Sequence, residues 1–119
     1  MEEKIKYSLI VTIVNKGYSD YVVQASRDAG ATGGTIINGL SSSSKDTEKF
    51  LGVTIQPEKE IVLTVVEVEN KSKIMKAICE STNLDAIGRG MCFALPISRL
   101  AGVTMLTKDI KTKKEKNEK

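Results

Sequence analysis

IVLTVVEV, residues Ile61–Val68, is the strongest strand signal in the chain, and the fold can be read outward from it. β-Branched side chains crowd helical turns but pack well on a pleated surface, so this run predicts a strand. Pro57 marks where regular structure resumes, after a segment from Asn38 to Gln56 with no clear period. On the other side, Asn70 can cap a helix. In that helix Ile74, Ala77, Ile78 and Ser81 line one side, while Lys71, Lys73, Lys76 and Glu80 face outward. Asn83 ends it.

The N-terminal half repeats the layout. Ile5–Val14 (IKYSLIVTIV) predicts a strand with Ile5, Tyr7, Leu9, Val11 and Ile13 on one face. Its other face, Lys6, Ser8, Ile10, Thr12 and Val14, is only partly polar, so the strand is covered on more than one side. Gly17 breaks it, and Ser19 is a candidate N-cap with Asp20 in the first turn. Tyr18, Val22, Ala25 and Ala29 then fall on one helical face, and Gly30 stops the helix. Gly33–Ile37 is a short second strand. At the far end "LDAIGRG" connects to a fourth strand, Met91–Pro96, whose proline suits an edge or an end.

The order strand, helix, strand, strand, helix, strand predicts an α+β, ferredoxin-like βαββαβ fold. Its sheet is antiparallel and four-stranded, with two helices on one face. The apolar even positions Ile10, Val14, Val62, Val66 and Val68 are assigned to the face the helices leave open, where they would form a contiguous patch for self-association.

At 119 residues, 40% hydrophobic and 28% charged, the chain has the size and composition of one globular domain. Residues 1–106 form that domain, with 39–56 as a long loop and 107–119 as a basic tail. The net charge of +3 resides in the tail, where six lysines face three acidic residues and twelve basic and twelve acidic groups are left elsewhere. Such a tail buries too little apolar surface to offset its ordering entropy and is predicted to lack fixed structure. The neutral core argues against nucleic-acid binding by the core itself, and the scarcity of aromatic residues (4%) argues against a base-stacking platform. No apolar stretch is long enough to insert in a membrane and no signal-peptide layout opens the chain, so a cytoplasmic location is expected. Cys79 and Cys92 stand apart without a CxxC pattern and read as structural thiols. With no His, the chain offers no zinc ligand set and no metal site is assigned.

Two segments are rich in glycine, Gly30–Gly39 and Gly88–Gly90. Glycine lets backbone N–H groups approach an anion, but neither segment matches a GxGxxG or GxxxxGK[ST] signature. Together with "GATGGTII", "PEKEIVLTVVEV", "KIMKAI" and "IGRGMCFALPISRLAGV", however, the chain resembles the PII signal-transduction family of nitrogen regulation from Ile5 to Val103. The resemblance implies a trimer whose intersubunit clefts hold an adenine nucleotide, and a T-loop that docks on a membrane transporter, metabolic enzyme or transcription factor. It also implies ligand contacts at Ile13, Thr35, Asn38, Gly39, Val65, Leu84, Ile87, Gly88, Arg89, Gly90 and Met91. The partner-binding loop would include Leu40, Ser41, Ser42, Ser43, Ser44, Lys45, Phe50 and Leu51.

The departures from the family are specific. Met91 stands where PII proteins place a phosphate-binding lysine, and Gly102 and Thr104 stand where they place two arginines. Three charge-assisted contacts to a triphosphate are thereby lost, leaving Arg89 as the nearby cation. Lys45 stands near the family's magnesium-binding glutamine. The loop carries no tyrosine, which excludes uridylylation there; its serines suit either phosphorylation or a flexible hinge.

Two readings of function follow. One is a PII-like regulator whose effector is AMP, ADP, ATP or a cyclic form. The other is a trimeric ferredoxin-like scaffold or ion-tolerance protein resembling CutA, with no nucleotide site. An enzyme is not expected, since no nucleophile and base, or pair of carboxylates, is set together by spacing.

Overall fold

The computed structural model describes residues 5–42, 48–50, 53–55, 57–86 and 89–102. Strand β1 (Tyr7–Asn15) leads to helix α1 (Ser19–Asp28), strand β2 (Thr35–Leu40), the short strands β3 (Glu48–Phe50) and β4 (Val53–Ile55), strand β5 (Glu58–Glu67), helix α2 (Lys71–Thr82) and strand β6 (Gly90–Ile97). The main sheet is antiparallel with strand order β2-β5-β1-β6, which is the ferredoxin-like arrangement of four strands and two helices.

Register settles which residues share a face. Thr35, Leu63, Val11 and Phe93 form one transverse row, and Ile37, Ile61, Ile13 and Met91 form the next on the same side. Between them, on the opposite side, lies the row Ile36, Val62, Thr12 and Cys92.

The helices cover the even-numbered side. Ile10, Val14, Val62 and Val66 are buried there with Val22, Ala29, Ile74 and Ile78 as one core. This reverses the sequence assignment, which left those even positions on the open face. Period-two alternation says which side chains point together, but both faces of β1 and β5 are apolar, so it cannot say which one the helices take. Ser8, Thr12 and Thr64 misled by polarity, for all three are buried beneath the helices. Val68 lies past the end of β5, exposed in a single 3-10 turn, Val68–Asn70. The open face is instead the odd one. On it Ile37 is 45%, Met91 56%, Phe93 38% and Leu95 48% exposed. These four side chains place exposed apolar surface on that side of the sheet.

Several local expectations change. β2 runs through Leu40, so Asn38, Gly39 and Leu40 belong to the sheet and the connection begins at Ser41, whose N–H donates to Pro57 O at 2.9 Å. Within the segment read as a loop, β3 and β4 pair antiparallel, Phe50 opposite Val53, because the β-branched Val53–Thr54–Ile55 favours extended pairing. Ser43, Ser44, Lys45, Leu51, Ile87, Gly88, Thr104 and the tail lie outside the described residues. Helix α1 starts at Ser19 itself, so the N-cap position falls to Tyr18, whose side chain makes no capping bond. Asn70 does sit at the N-cap of α2, though its side chain makes no capping bond. Asn83 closes α2 in the left-handed conformation, φ 53°, and Gly30 follows α1 at φ 115°.

Candidate ligand site

The cap that Ser19 does not supply comes from β5. Glu60 Oε1 accepts the backbone N–H of Gly17 at 2.8 Å and that of Ser19 at 3.2 Å. The carboxylate thus serves the unpaired donors at the start of α1, where the helix dipole also favours negative charge. The Gly17 bond, with the Ser19 bonds and nearby Lys16, holds Glu60 below its ordinary carboxyl range. Sequence reading missed this residue, and the only hint was the charged run "PEKE" at the head of the strand facing the "KGYS" turn.

Beside it, the root of the long connection forms an open groove of about 280 Å³ lined by Lys16, Asn38, Gly39, Leu40, Glu58 and Lys59. Its two ammonium groups are already engaged. Lys16 Nζ meets Glu58 Oε2 at 2.7 Å, which pushes the lysine's pKa up, and Lys59 Nζ donates to Asn15 Oδ1 at 2.6 Å. Asn38 and Gly39 are among the predicted ligand residues; Lys16 and Lys59 are not.

At the opposite edge of the sheet, the turn after α2 brings in Leu84, Arg89 and Gly90. Arg89 does not reach out as an unengaged phosphate-binding cation. Its Nη1 donates to the Tyr18 hydroxyl at 3.2 Å. Its guanidinium carbon stands 5.7 Å from the centre of that ring. This is a cation–π contact at the entry to α1. Gly90 is required by close approach: at φ 135°, a Cβ there would lie 2.0 Å from Ile13 O.

The predicted ligand residues therefore fall into three groups. Ile13, Thr35, Val65 and Met91 lie on the open face; Asn38 and Gly39 lie at the loop root; Leu84, Arg89 and Gly90 lie at the turn. Within one chain the last two groups do not meet. Asn38 and Gly90 share a transverse row but are separated by Glu60 and Val14. Three strand spacings place them about 14 Å apart.

No protein-family model matches the chain, and no curated protein matches it. Solved structures do. The fold is similar to that of a Bacillus cereus protein related to NIF3, with TM-score 0.62 and 16% identity over 82% of this chain and 27% of that one. It is also similar to Arabidopsis thaliana PII bound to citrate, with TM-score 0.60 and 20% identity over 85% of this chain and 87% of that one. The chain thus spans about a quarter of the NIF3-related protein but nearly the whole of the PII chain. By architecture it belongs to the ferredoxin-like α+β class. Within that class its fold is PII-like.

Proposed function

We propose that this chain is a PII-like signalling protein of the cytoplasm. Three copies associate through the open sheet face, an adenine nucleotide binds in the clefts between them, and the connection from Ser41 to Gln56 reports binding to a target transporter or metabolic enzyme. The observation that carries the reading is the separation just described. The loop root and the glycine turn occupy opposite edges of one sheet, with an uncovered apolar face between them. Packing that face against other copies buries it, and lets the turn of one chain approach the loop root of the next.

The cleft chemistry favours an effector with few phosphates. Met91 supplies no charge, Gly102 none, and Arg89 is held by Tyr18. Ribose and base contacts from Thr35, Asn38 and apolar Ile13 and Val65 would dominate over phosphate contacts. Order–disorder of a connecting segment is a recognised switching mode, and an effector touching both turn and root has the differential contacts it needs.

Calorimetry with AMP, ADP, ATP, cyclic AMP and cyclic di-AMP tests this, with Arg89→Ala alongside. At least one nucleotide is expected to bind, with ATP no tighter than AMP. Absence of heat with all five would defeat the reading.

The engaged Arg89 favours a second reading, a CutA-like trimeric scaffold without a nucleotide site. In that case a thermal-shift screen of the same five compounds gives no response while the chain remains trimeric.

A further inference from the structure

The turn before β6 holds its cation in a fixed place. The Arg89 N–H donates to Ala86 O at 3.3 Å, and the next residue, Gly90, lies so close to Ile13 O that no Cβ fits there. The Arg89 side chain therefore changes partners by rotating about its own bonds. Tyr18 is held as firmly. Its N–H donates to Asn15 O at 3.1 Å and its carbonyl accepts the Val22 N–H at 3.3 Å. Its ring packs against the core and against Tyr21, with 5.9 Å between ring centres.

Both groups that Tyr18 offers Arg89, the hydroxyl at 3.2 Å and the ring face at 5.7 Å, are neutral. Among the described residues no carboxylate forms an ion pair with this half-buried guanidinium. Tyr18 thus fixes the position of Arg89 and leaves its charge uncompensated. Arg89 also carries the only charge among the residues assigned to the ligand, so it alone can answer the anionic end of an effector.

We infer that Tyr18 is the specificity-determining residue at the phosphate end of the proposed site, a role that rests on the nucleotide reading above. By holding Arg89 it removes the advantage that each further phosphate would otherwise bring. A charge-assisted, bidentate contact from guanidinium to phosphate is stronger than a bond to a neutral hydroxyl. Arg89 makes that contact only by giving up the Tyr18 hydroxyl and the ring face together, and their loss offsets much of the gain. An effector recognised through ribose and base avoids the exchange. Tyr18 therefore favours AMP over ATP without touching either.

The test is calorimetric titration of AMP and of ATP into the full chain as wild type, Tyr18→Phe and Tyr18→Leu, each folded by circular dichroism. Tyr18→Phe keeps the ring and its packing and removes only the acceptor, whereas Tyr18→Leu removes both contacts to Arg89. The affinity for ATP relative to AMP should rise about threefold in Tyr18→Phe and about tenfold in Tyr18→Leu. Adding Arg89→Ala to Tyr18→Leu should abolish the rise, a dependence that a merely loosened start of α1 would not show. Three results would overturn the inference while leaving the nucleotide reading intact: an unchanged ratio in both Tyr18 variants, a rise that survives Arg89→Ala, or a fall in the ratio, as expected if Tyr18 aimed Arg89 at the phosphates. No heat from either nucleotide with any of these chains defeats the nucleotide reading, and the role of Tyr18 with it.

Discussion

Replacing Gly90 by alanine tests how tightly the glycine turn is built into the sheet. The added Cβ would fall 2.0 Å from Ile13 O, 3.1 Å from Ile13 C and 3.3 Å from Val14 Cα, all backbone atoms of β1. None is the end of a flexible side chain that could swing aside. Reaching an ordinary contact requires β1 and β6 to part by more than about 1 Å, enough to take a hydrogen bond out of range. The pairing of Val14 with Gly90 is then broken. Positive φ adds about 1–2 kcal/mol for a residue with a Cβ, and a lost ladder bond adds about 1 kcal/mol. With displaced packing the loss is about 3 kcal/mol or more, in the far tail of single substitutions. Gly39→Ala is the control, for its nearest neighbour is Ile61 Cδ1 at 3.7 Å. A change within about 0.5 kcal/mol is expected there. Urea unfolding of both variants at one fixed chain concentration measures the difference. A Gly90→Ala chain that loses less than about 1 kcal/mol would refute the reasoning.

Glu60→Gln should weaken the start of α1 by about 1 kcal/mol, the scale of a lost helix cap. Because the folded-state pKa of Glu60 is lowered, its stabilisation is complete well above the ordinary value of 4.5 and is lost as pH falls through the lower folded value. Unfolding free energy measured from pH 7 to pH 3 should therefore fall less in Glu60→Gln than in wild type; parallel profiles would count against the cap. Thr64 Oγ1 is buried with no hydrogen-bond partner among the described residues. Thr64→Val should therefore be neutral or stabilising by up to about 1 kcal/mol in urea unfolding. A clear destabilisation would mean that the hydroxyl is bonded. Ile78→Ala empties a fully buried position at the centre of the core. Calorimetric unfolding should register a loss of about 2–5 kcal/mol.

The fold was legible because its elements carry separate local signals. Ile61–Glu67 lies in a strand as read, with Val68 just past its end; Val22 and Ala25 share the buried face of α1, and Gly30 and Asn83 follow their helices as read. Long-range choices were not legible. Which face of β1 the helices cover depends on how α1 and α2 cross the sheet, and Ile10 and Leu9 give no local vote. Glu60 capping α1 and Arg89 turning to Tyr18 each join residues brought together by the fold, so spacing carries no trace of them. The candidate site shows the same division. Its glycines stood out in the chain, whereas Lys16 and Lys59 became visible only once β1 and β5 were paired at Asn15 and Lys59.

The central claim is that the odd-numbered sheet face joins copies of the chain and completes the ligand cleft. Sedimentation equilibrium on wild type and on Leu95→Glu, a substitution on that face, tests it most directly. The account predicts a wild-type mass of three times 13.0 kDa and a Leu95→Glu mass of 13.0 kDa with folded circular dichroism. A wild-type chain that sediments at 13.0 kDa, or a Leu95→Glu chain that remains trimeric, would contradict it.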